Sequence, residues 1–264
     1  MRAVAVWFAL AGWTAAGPVA DLTRLPVADV VILGEVHDNP QHHRNQAEAV
    51  AAIQPAALVF EMMTPEQASL VAVENRGDPG LGAALGWAEA GWPDFAMYQP
   101  ILTAAPGAAV YGAAVPGEAL MGLRDPAAVV GLLPDARFGL TESLPAADQF
   151  AREAAQLAAH CDALPAELLP YMVAVQRLRD ATLAARALEA FAAKGGPVVV
   201  ITGTGHARRD QGVPAALALA APDLQVLSVG QLEDDPGPDA PYDLWVVTDP
   251  VERPDPCAAF RAGN

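Results

Sequence analysis

The chain has 264 residues, 53% of them hydrophobic, and a formal net charge of −16 at pH 7. The hydrophobic content excludes a disordered protein, and the length suffices for one large core or two modest ones. The negative charge argues against binding to nucleic acid or an anionic membrane, because such partners require clustered cationic side chains and the chain has only 15 lysines and arginines.

Residues 1–20 have the composition of a secretory signal peptide. Arg2 precedes an apolar stretch from Ala3 to Ala11, and small residues follow up to candidate cleavage sites at Ala16 and Ala20. The stretch is too short to span a bilayer. We therefore predict an exported, periplasmic protein. The alternative is that this stretch forms a buried first strand.

Apolar runs predict β-strands at residues 29–34, 57–61, 108–112, 197–202, 224–229 and 243–248. Helical patterns lie between several of them, at residues 40–53, 65–75 and 214–221. Between residues 113 and 196 the strand patterns stop, and the longest helix is expected from near Pro170 to about Ala193. The alternation predicts a single α/β domain over residues 21–264, with a mostly parallel sheet, flanking helices and an inserted helical layer at about 113–196.

Acidic and imidazole side chains follow three of the predicted strands. Glu35 and His37 follow the first strand, Glu61 ends the second, and His206 follows the fourth. Ligands of open α/β sheets bind at the edge where parallel strands end, so we expect these four residues to meet there. The set suits a divalent metal ion or an acid/base pair. The alternative is structural, with the carboxylate of Glu35 accepting hydrogen bonds from the following turn.

Further polar residues are expected near the same edge. His42 and His43 lie in the first turn of the helix after Pro40, where the helix dipole disfavours imidazolium and favours an anionic ligand. Arg44 in that turn, and Arg208 and Arg209 after the fourth strand, can offer cations to the carboxylates of a ligand. The alternative for the arginines is simple exposure to solvent. Gln176 and Asp180 stand four residues apart on an otherwise apolar face of the long helix, so they either hydrogen-bond within the core or line the roof of a pocket.

The sequence lacks the signatures of several enzyme classes. There is no GxSxG elbow, no Walker loop and no GxGxxG after a strand. Cys161 and Cys257 are the only cysteines. One disulfide between them and two unpaired cysteines both remain open.

The order and spacing of these motifs resemble the ChaN family over about residues 27–230. The resemblance is carried by Gly34-Glu35-Val36-His37-Asp38-Asn39-Pro40 with His42-His43 and Gln46, by Phe60-Glu61-Met62, by Gln176 with Arg179-Asp180, and by Gly203-Thr204-Gly205-His206 followed by Gly212-Val213-Pro214. It implies a haem-binding protein of the bacterial cell envelope that takes part in haem or iron uptake or handling, with haem or a related tetrapyrrole as its partner.

The resemblance also implies details of location, ligand and assembly. Members are often lipoproteins, but this chain has no lipobox cysteine, so a periplasmic form without a lipid anchor is expected. A tyrosine is a reasonable ligand for ferric haem iron, and Tyr98 and Tyr171 are the candidates nearest the predicted helical roof. A flat ligand often binds between subunits, so a homodimer is conceivable, although no sequence feature requires one.

The wider superfamily of the resembled family includes Tiki-type metalloproteases. A metal-dependent hydrolase that uses Glu35, His37, Glu61 and His206 is therefore the alternative function. The sequence leaves open whether the chain is an enzyme.

Overall fold

The computed structural model describes residues 16–255 and 257–258. Most of the predicted signal peptide, residues 1–15, lies outside the described residues. Residues 17 and 18, within the predicted signal peptide, form a short strand at the edge of the sheet.

The described residues form one parallel sheet of seven strands, in the order β1-β7-β6-β2-β5-β3-β4. The strands are β1 Gly17–Pro18, β2 Val30–Glu35, β3 Ala57–Phe60, β4 Ala109–Gly112, β5 Val198–Gly203, β6 Val226–Leu232 and β7 Leu244–Val247. Each pair of neighbours is parallel. The predicted α/β class and parallel sheet are confirmed, and β1 is a strand that the sequence patterns did not predict.

Nine α-helices occur within the described ranges. They are α1 Pro40–Ile53, α2 Pro65–Ser69, α3 Leu81–Ala84, α4 Phe95–Ala104, α5 Gly117–Leu120, α6 Pro126–Val130, α7 Ala146–Ala159, α8 Leu169–Lys194 and α9 Val213–Ala220. Short 3-10 turns lie at Val73–Asn75, Ala136–Phe138 and Ala166–Leu168. In the part of the chain that the structure describes, none of the helices combines the length and apolarity needed to cross a membrane.

The helix predictions differ from the structure at two places. The helix predicted at residues 65–75 ends at Ser69, where the N–H of Leu70 bonds to Gln67 instead of continuing the α-helical pattern. The helix α4 lies in a Gly-, Trp- and Pro-rich region without a predicted helix, and Pro100 lies inside it. The Asp94 side chain caps α4 by accepting the N–H of Ala96 at 2.9 Å.

Two helical layers enclose the sheet, and alternate strand residues face one or the other. Val30 and Ile32 belong to the core formed with α8 and α9, whereas Val31 and Leu33 belong to the core formed with residues of α1 and α4. This is the two-residue period of a strand buried on both faces. The alternation directs Glu35 towards α1 and α4.

The carboxyl ends of β2 and β5 mark the point where the chain changes direction across the sheet. The helix α1 follows β2 and leads to β3 on one side, whereas α9 follows β5 and leads to β6 on the other. Connections that diverge in this way leave a crevice between the two strand ends. The polar residues predicted at the ends of β2 and β5 therefore border this crevice.

The segment after β7 crosses the loop that follows β2. Arg253 forms ion pairs with Asp38 at 2.7 Å and with Glu233 at 2.6 Å. Farther along, Cys257 forms a disulfide with Cys161, just after α7, across a sequence separation of 96. The disulfide that the sequence left open is thus present, and it links the segment after β7 to the helical insert.

We expect Gly112→Ala to destabilise the fold. Gly112 ends β4, and a Cβ there would lie 2.1 Å from the carbonyl oxygen of Thr64, so the backbone has to move. The expected loss in the free energy of unfolding is about 1–3 kcal/mol, measured by urea denaturation. Gly107→Ala is the control, because a Cβ at Gly107 meets nothing within 4 Å. Equal stability of both variants would contradict the expected clash.

Candidate functional site

The four residues predicted to meet at the carboxyl edge of the sheet lie together there. His37 Nδ1 is 2.7 Å from Glu35 Oε1, and its Nε2 is 3.9 Å from Glu61 Oε2. His206 Nε2 lies 3.4 Å from Glu61 Oε1. Acids and imidazoles therefore alternate along one run, which we call the edge cluster: Glu35, His37, Glu61 and His206.

Glu35 is buried between α1 and α4. The Tyr98 hydroxyl donates to its Oε1 at 2.9 Å, and His43 Nδ1 lies 3.4 Å from its Oε2. Burial, together with the charge of Glu35, raises the pKa of Tyr98 well above its ordinary value, so the phenol stays protonated and acts as a donor. Tyr98 thus holds Glu35 in place.

Because Gly203 has no side chain, His37 can connect the two faces of the sheet. Glu35 points towards α1 and α4, whereas Glu61 contacts residues on the α8 side. A Cβ on Gly203 would lie 3.0 Å from His37 Nε2 and 3.7 Å from Glu61 Oε2. The imidazole can bridge the two acids because glycine leaves this space free.

The other end of the edge cluster is anchored to α8. Asp180 lies 2.6 Å from His206 Nδ1, so each ring nitrogen of His206 faces a carboxylate. Burial disfavours a charge on His206, but the charges of Glu61 and Asp180 raise its pKa to about 10. His206 is therefore an imidazolium at neutral pH.

Glu61 has further partners at the end of β5. The Thr202 hydroxyl and the Gly203 N–H each donate to its Oε2 at 2.7 Å. Burial alone would raise the pKa of Glu61, but the charge of His206 and the hydrogen bonds from His206 and from the Gly203 N–H lower it below its ordinary value. Glu61 is thus an ionised carboxylate with its charge compensated internally.

The predicted divalent metal site is not supported by this geometry. A metal-binding imidazole must offer an unprotonated nitrogen, whereas both nitrogens of His206 face carboxylates. Among the residues that the structure describes, no group of three or more His, Cys, Asp or Glu is arranged to hold a metal ion. The residues that suggested a metal-dependent hydrolase instead neutralise one another.

His37 is the accessible member of the edge cluster. Its side chain is 30% exposed, compared with 0% for Glu35 and 7% for His206. The Trp92 ring lies beside it, with the two ring centroids 5.1 Å apart. Burial disfavours a charge on His37, but Glu35 and Glu61 outweigh this effect and raise its pKa. A ligand at this edge therefore meets His37 and Trp92.

Three other residues predicted to bind a cofactor are fully buried. His42 accepts the N–H of Val36 at 2.8 Å and contacts the Thr248 hydroxyl at 2.8 Å, and burial lowers its pKa to about 4. His43 and Tyr98 pack against each other with ring centroids 4.3 Å apart. In this arrangement these three side chains support the loop after β2 and do not face a ligand.

The predicted cations lie apart from the edge cluster or have partners of their own. Arg44 donates to the side chain of Gln41 at 2.7 Å. Arg208 pairs with Asp210 at 2.6 Å, and Arg209 pairs with Asp243 at 3.0 Å. Tyr171 is half-buried at the start of α8, with its hydroxyl 3.4 Å from the carbonyl oxygen of Leu120.

Both alternatives foreseen for Gln176 and Asp180 are realised. Asp180 bonds to His206, and the Gln176 amide lies 3.2 Å from His206 Nδ1. Both residues also line a cavity of about 240 Å³ between α7 and the turn after β5.

Three functional positions were absent from the predicted site: Trp92, Arg179 and Thr202. Thr202 was recognisable from strand alternation, which places it on the same sheet face as Val198 and Val200. Trp92 and Arg179 line a small cavity beside Glu61. Arg179 stood in a motif of the family resemblance without a predicted role, and the position of Trp92 depends on how the loop before α4 packs.

Comparison with known proteins identifies one family. A family model described as "Haem-binding uptake, Tiki superfamily, ChaN" matches residues 22–217. A solved structure described as cofacial heme binding to ChaN of Campylobacter jejuni is 17% identical, covers 82% of this chain and 86% of that chain, and gives a TM-score of 0.59. The type III effector HopBA1 is 14% identical over 92% of this chain and 100% of that chain, with a TM-score of 0.46. No curated protein matches the chain.

We expect the charge on His206 to make stability depend on pH. Its pKa is raised from 6.5 to about 10, so its contribution is complete below pH 6.5 and is lost as the pH rises through 10. Urea denaturation between pH 6 and 10 should show a steeper loss of stability for the native protein than for His206→Gln.

His160→Gln is the matched control, because His160 is only half-buried and its Nδ1 lies beside the carbonyl oxygen of Gln156. This variant should keep the native slope. Parallel pH profiles for the native protein and His206→Gln would contradict the assignment of a buried imidazolium.

Proposed function

Because the chain belongs to the haem-binding uptake family ChaN of the Tiki superfamily, we propose that it binds haem in the cell envelope and serves in haem or iron uptake. The geometry at the edge cluster suggests where haem binds. His37 is a partly exposed imidazole whose other nitrogen is held by a buried carboxylate, and this single observation supports the placement of the iron.

The residues at this edge fit a haem group. An imidazole that faces a carboxylate through Nδ1 is oriented and made more basic, as is usual for metal-binding histidines. His37 Nε2 would then hold the haem iron, which requires it to lose its proton and to exchange its long 3.9 Å contact with Glu61 for the metal. Bound haem supplies a redox-active iron centre. The protein supplies the ligand, its orientation and the flat aromatic side chain of Trp92.

Arg179 is suited to a propionate group of haem. It is exposed on α8 and lines a cavity of about 100 Å³ together with Glu61, Trp92 and Leu183. No hydrogen bond or ion pair joins Arg179 to another residue within the described part of the chain. A free guanidinium beside the edge cluster supports the proposal, because arginine binds carboxylates through two parallel hydrogen bonds.

The tyrosines predicted as iron ligands have weaker support than His37. Tyr98 is 0% exposed and donates its hydroxyl to Glu35, so it cannot reach a haem without unfolding of its surroundings. Tyr171 is half-buried and stays the second candidate. Its hydroxyl makes one long contact of 3.4 Å, which a bound iron can replace.

An oxidising compartment is part of the proposal. The disulfide between Cys161 and Cys257 supports export to the periplasm, since such bonds persist in oxidising environments. The pairing of Gly17 and Pro18 with β7 favours cleavage after Ala16 over cleavage after Ala20, because only the former keeps β1 in the mature chain.

We expect haem titration of the purified protein to give a saturable Soret band. His37→Ala should shift the band and weaken haem binding by at least about tenfold, since it removes the iron ligand. Tyr171→Phe should leave the position of the Soret band and the affinity for haem unchanged. Tyr98→Phe is the matched control for disturbance of the edge cluster, because it removes only the hydroxyl bonded to Glu35.

A native spectrum for His37→Ala together with a changed spectrum for Tyr171→Phe would indicate that Tyr171, and not His37, coordinates the haem iron. No Soret band at saturating haem would contradict haem binding itself. Sedimentation of the same samples tests whether the protein forms the homodimer that the sequence left open.

Export is tested by expressing the full chain in a Gram-negative host. We expect the protein in the periplasmic fraction, with the intact mass of a chain that begins at Gly17 and has lost two hydrogen atoms on forming the disulfide. An unprocessed mass in the cytoplasmic fraction would contradict export, whereas a chain beginning at Asp21 would contradict the retained β1.

A further inference from the structure

The helix α7 has its polar face towards the protein and its apolar face towards solvent. No residue of α7 is buried. The partly buried positions have the spacing of one helix face, and four of the five are polar: Gln149, Arg152, Glu153, Gln156 and Leu157. The opposite face presents Phe150, which is 74% exposed, and a series of alanines. A surface helix normally has the reverse orientation.

The inward polar face of α7 covers two adjoining cavities. The larger, of about 710 Å³, lies between α6, residues 134–144, α7 and α8, and apolar side chains such as Val130, Leu144 and Val173 line it. The smaller, of about 260 Å³, continues towards Asp180 and the start of α9. Both are lined by Leu140 and Arg177. Their sizes are those of small-molecule sites.

Two arginines border the smaller cavity, and within the described residues no carboxylate forms a hydrogen bond or ion pair with either of them. Arg152, on α7, forms no hydrogen bond or ion pair with any residue in the described ranges. Arg177, on α8, donates only to carbonyl oxygens, of Gly139 at 2.6 Å and of Glu142 at 3.0 Å. Burial and the charge of Arg152 lower the pKa of Arg177, and the charge of Asp180 opposes this only in part. Asp180 lines the same cavity but is bonded to His206, so a further anion would stabilise the two half-buried cations.

The acidic residues that line these cavities are Asp180, Glu153 and Glu142, and within the described residues none of their carboxylates bonds to either arginine. Asp180 is bonded to His206. Glu153, on the wall of the larger cavity, accepts a hydrogen bond from Gln149 at 2.6 Å, and Glu142 is exposed. The space between Arg152 and Arg177 thus favours an anionic group, and the larger cavity favours an apolar one.

The chemistry of the lining argues against haem iron as the occupant. No histidine, tyrosine, cysteine or methionine lines either cavity within the described residues. These are the side chains that hold haem iron in proteins. The site therefore suits a ligand without a metal, distinct from the group proposed at His37.

We propose that the space beneath α7 binds an amphipathic carboxylate with a long apolar tail. The carboxylate lies between Arg152 and Arg177, and the tail occupies the larger cavity beside Val130, Leu144 and Val173. The inverted orientation of α7 is explained by this ligand, because the helix must present Arg152 and its polar neighbours inwards.

The proposal is tested with cis-parinaric acid, a fluorescent long-chain carboxylate, added to the full mature protein. We expect saturable enhancement of its emission and weak binding of its uncharged methyl ester. Arg152→Gln should weaken binding of the acid by about tenfold, because it removes one charged hydrogen-bond donor. Its folding is expected to be native, since Arg152 has no partner to lose among the described residues.

Two further variants separate the site from general effects. Ala127→Phe narrows the larger cavity from an exposed position on α6 and should weaken binding independently of charge. Arg186→Gln is the matched control, because Arg186 lies on α8 outside both cavities and pairs with Glu189. Failure of the acid to bind, or equal affinities for the native protein, Arg152→Gln and Ala127→Phe, would overturn the inference.

Competition with haem distinguishes this inference from the proposed function. We expect haem to leave the amount of bound probe, measured after removal of the free probe, unchanged in both the native protein and His37→Ala. Stoichiometric displacement of the probe by haem would identify the cavities as the haem site and overturn the inference. Loss of haem binding with retained probe binding would contradict only the proposed function.

Discussion

The bridge that His37 makes over Gly203 is the interaction on which the arrangement of the site depends. Glu35 and Glu61 lie on opposite faces of the sheet, and burying either carboxylate without a partner costs several kcal/mol. His37 contacts both acids, and His206 continues the run to Asp180 on α8. The packing of α1 and α4 on one face is thereby coupled to the position of α8 on the other.

This coupling separates the rigid part of the edge from the part that can meet a ligand. Glu35, Glu61 and His206 have their polar atoms directed at neighbouring side chains or backbone. His37 alone among the edge cluster combines a fixed orientation with substantial exposure. The buried acids therefore orient His37 and do not contact a bound molecule themselves. For this reason a cluster rich in metal-binding residue types need not bind a bare metal ion.

The sequence predicted the sheet and the meeting of the four edge residues because both follow from local patterns. Apolar runs define the strands, and parallel strands bring their carboxyl ends together. The same patterns did not predict that Tyr98 is buried. Its burial depends on α4, and this helix was not predicted because it contains Pro100 and lies in a segment with the composition of a loop. They also could not reveal the orientation of α7. Its strong amphipathicity indicates an apolar face turned inwards, and only the tertiary structure shows the reverse.

The disulfide after α7 determines how the helical insert can move. Cys161 is covalently fixed to Cys257, and the segment before Cys257 is held by Arg253 to Asp38 and Glu233. The carboxyl end of α7 is therefore a pivot, whereas its amino end follows an exposed stretch with no comparable tether among the described residues. A movement of α7 that keeps the disulfide intact would therefore turn about Cys161 and widen the gap beside Pro145.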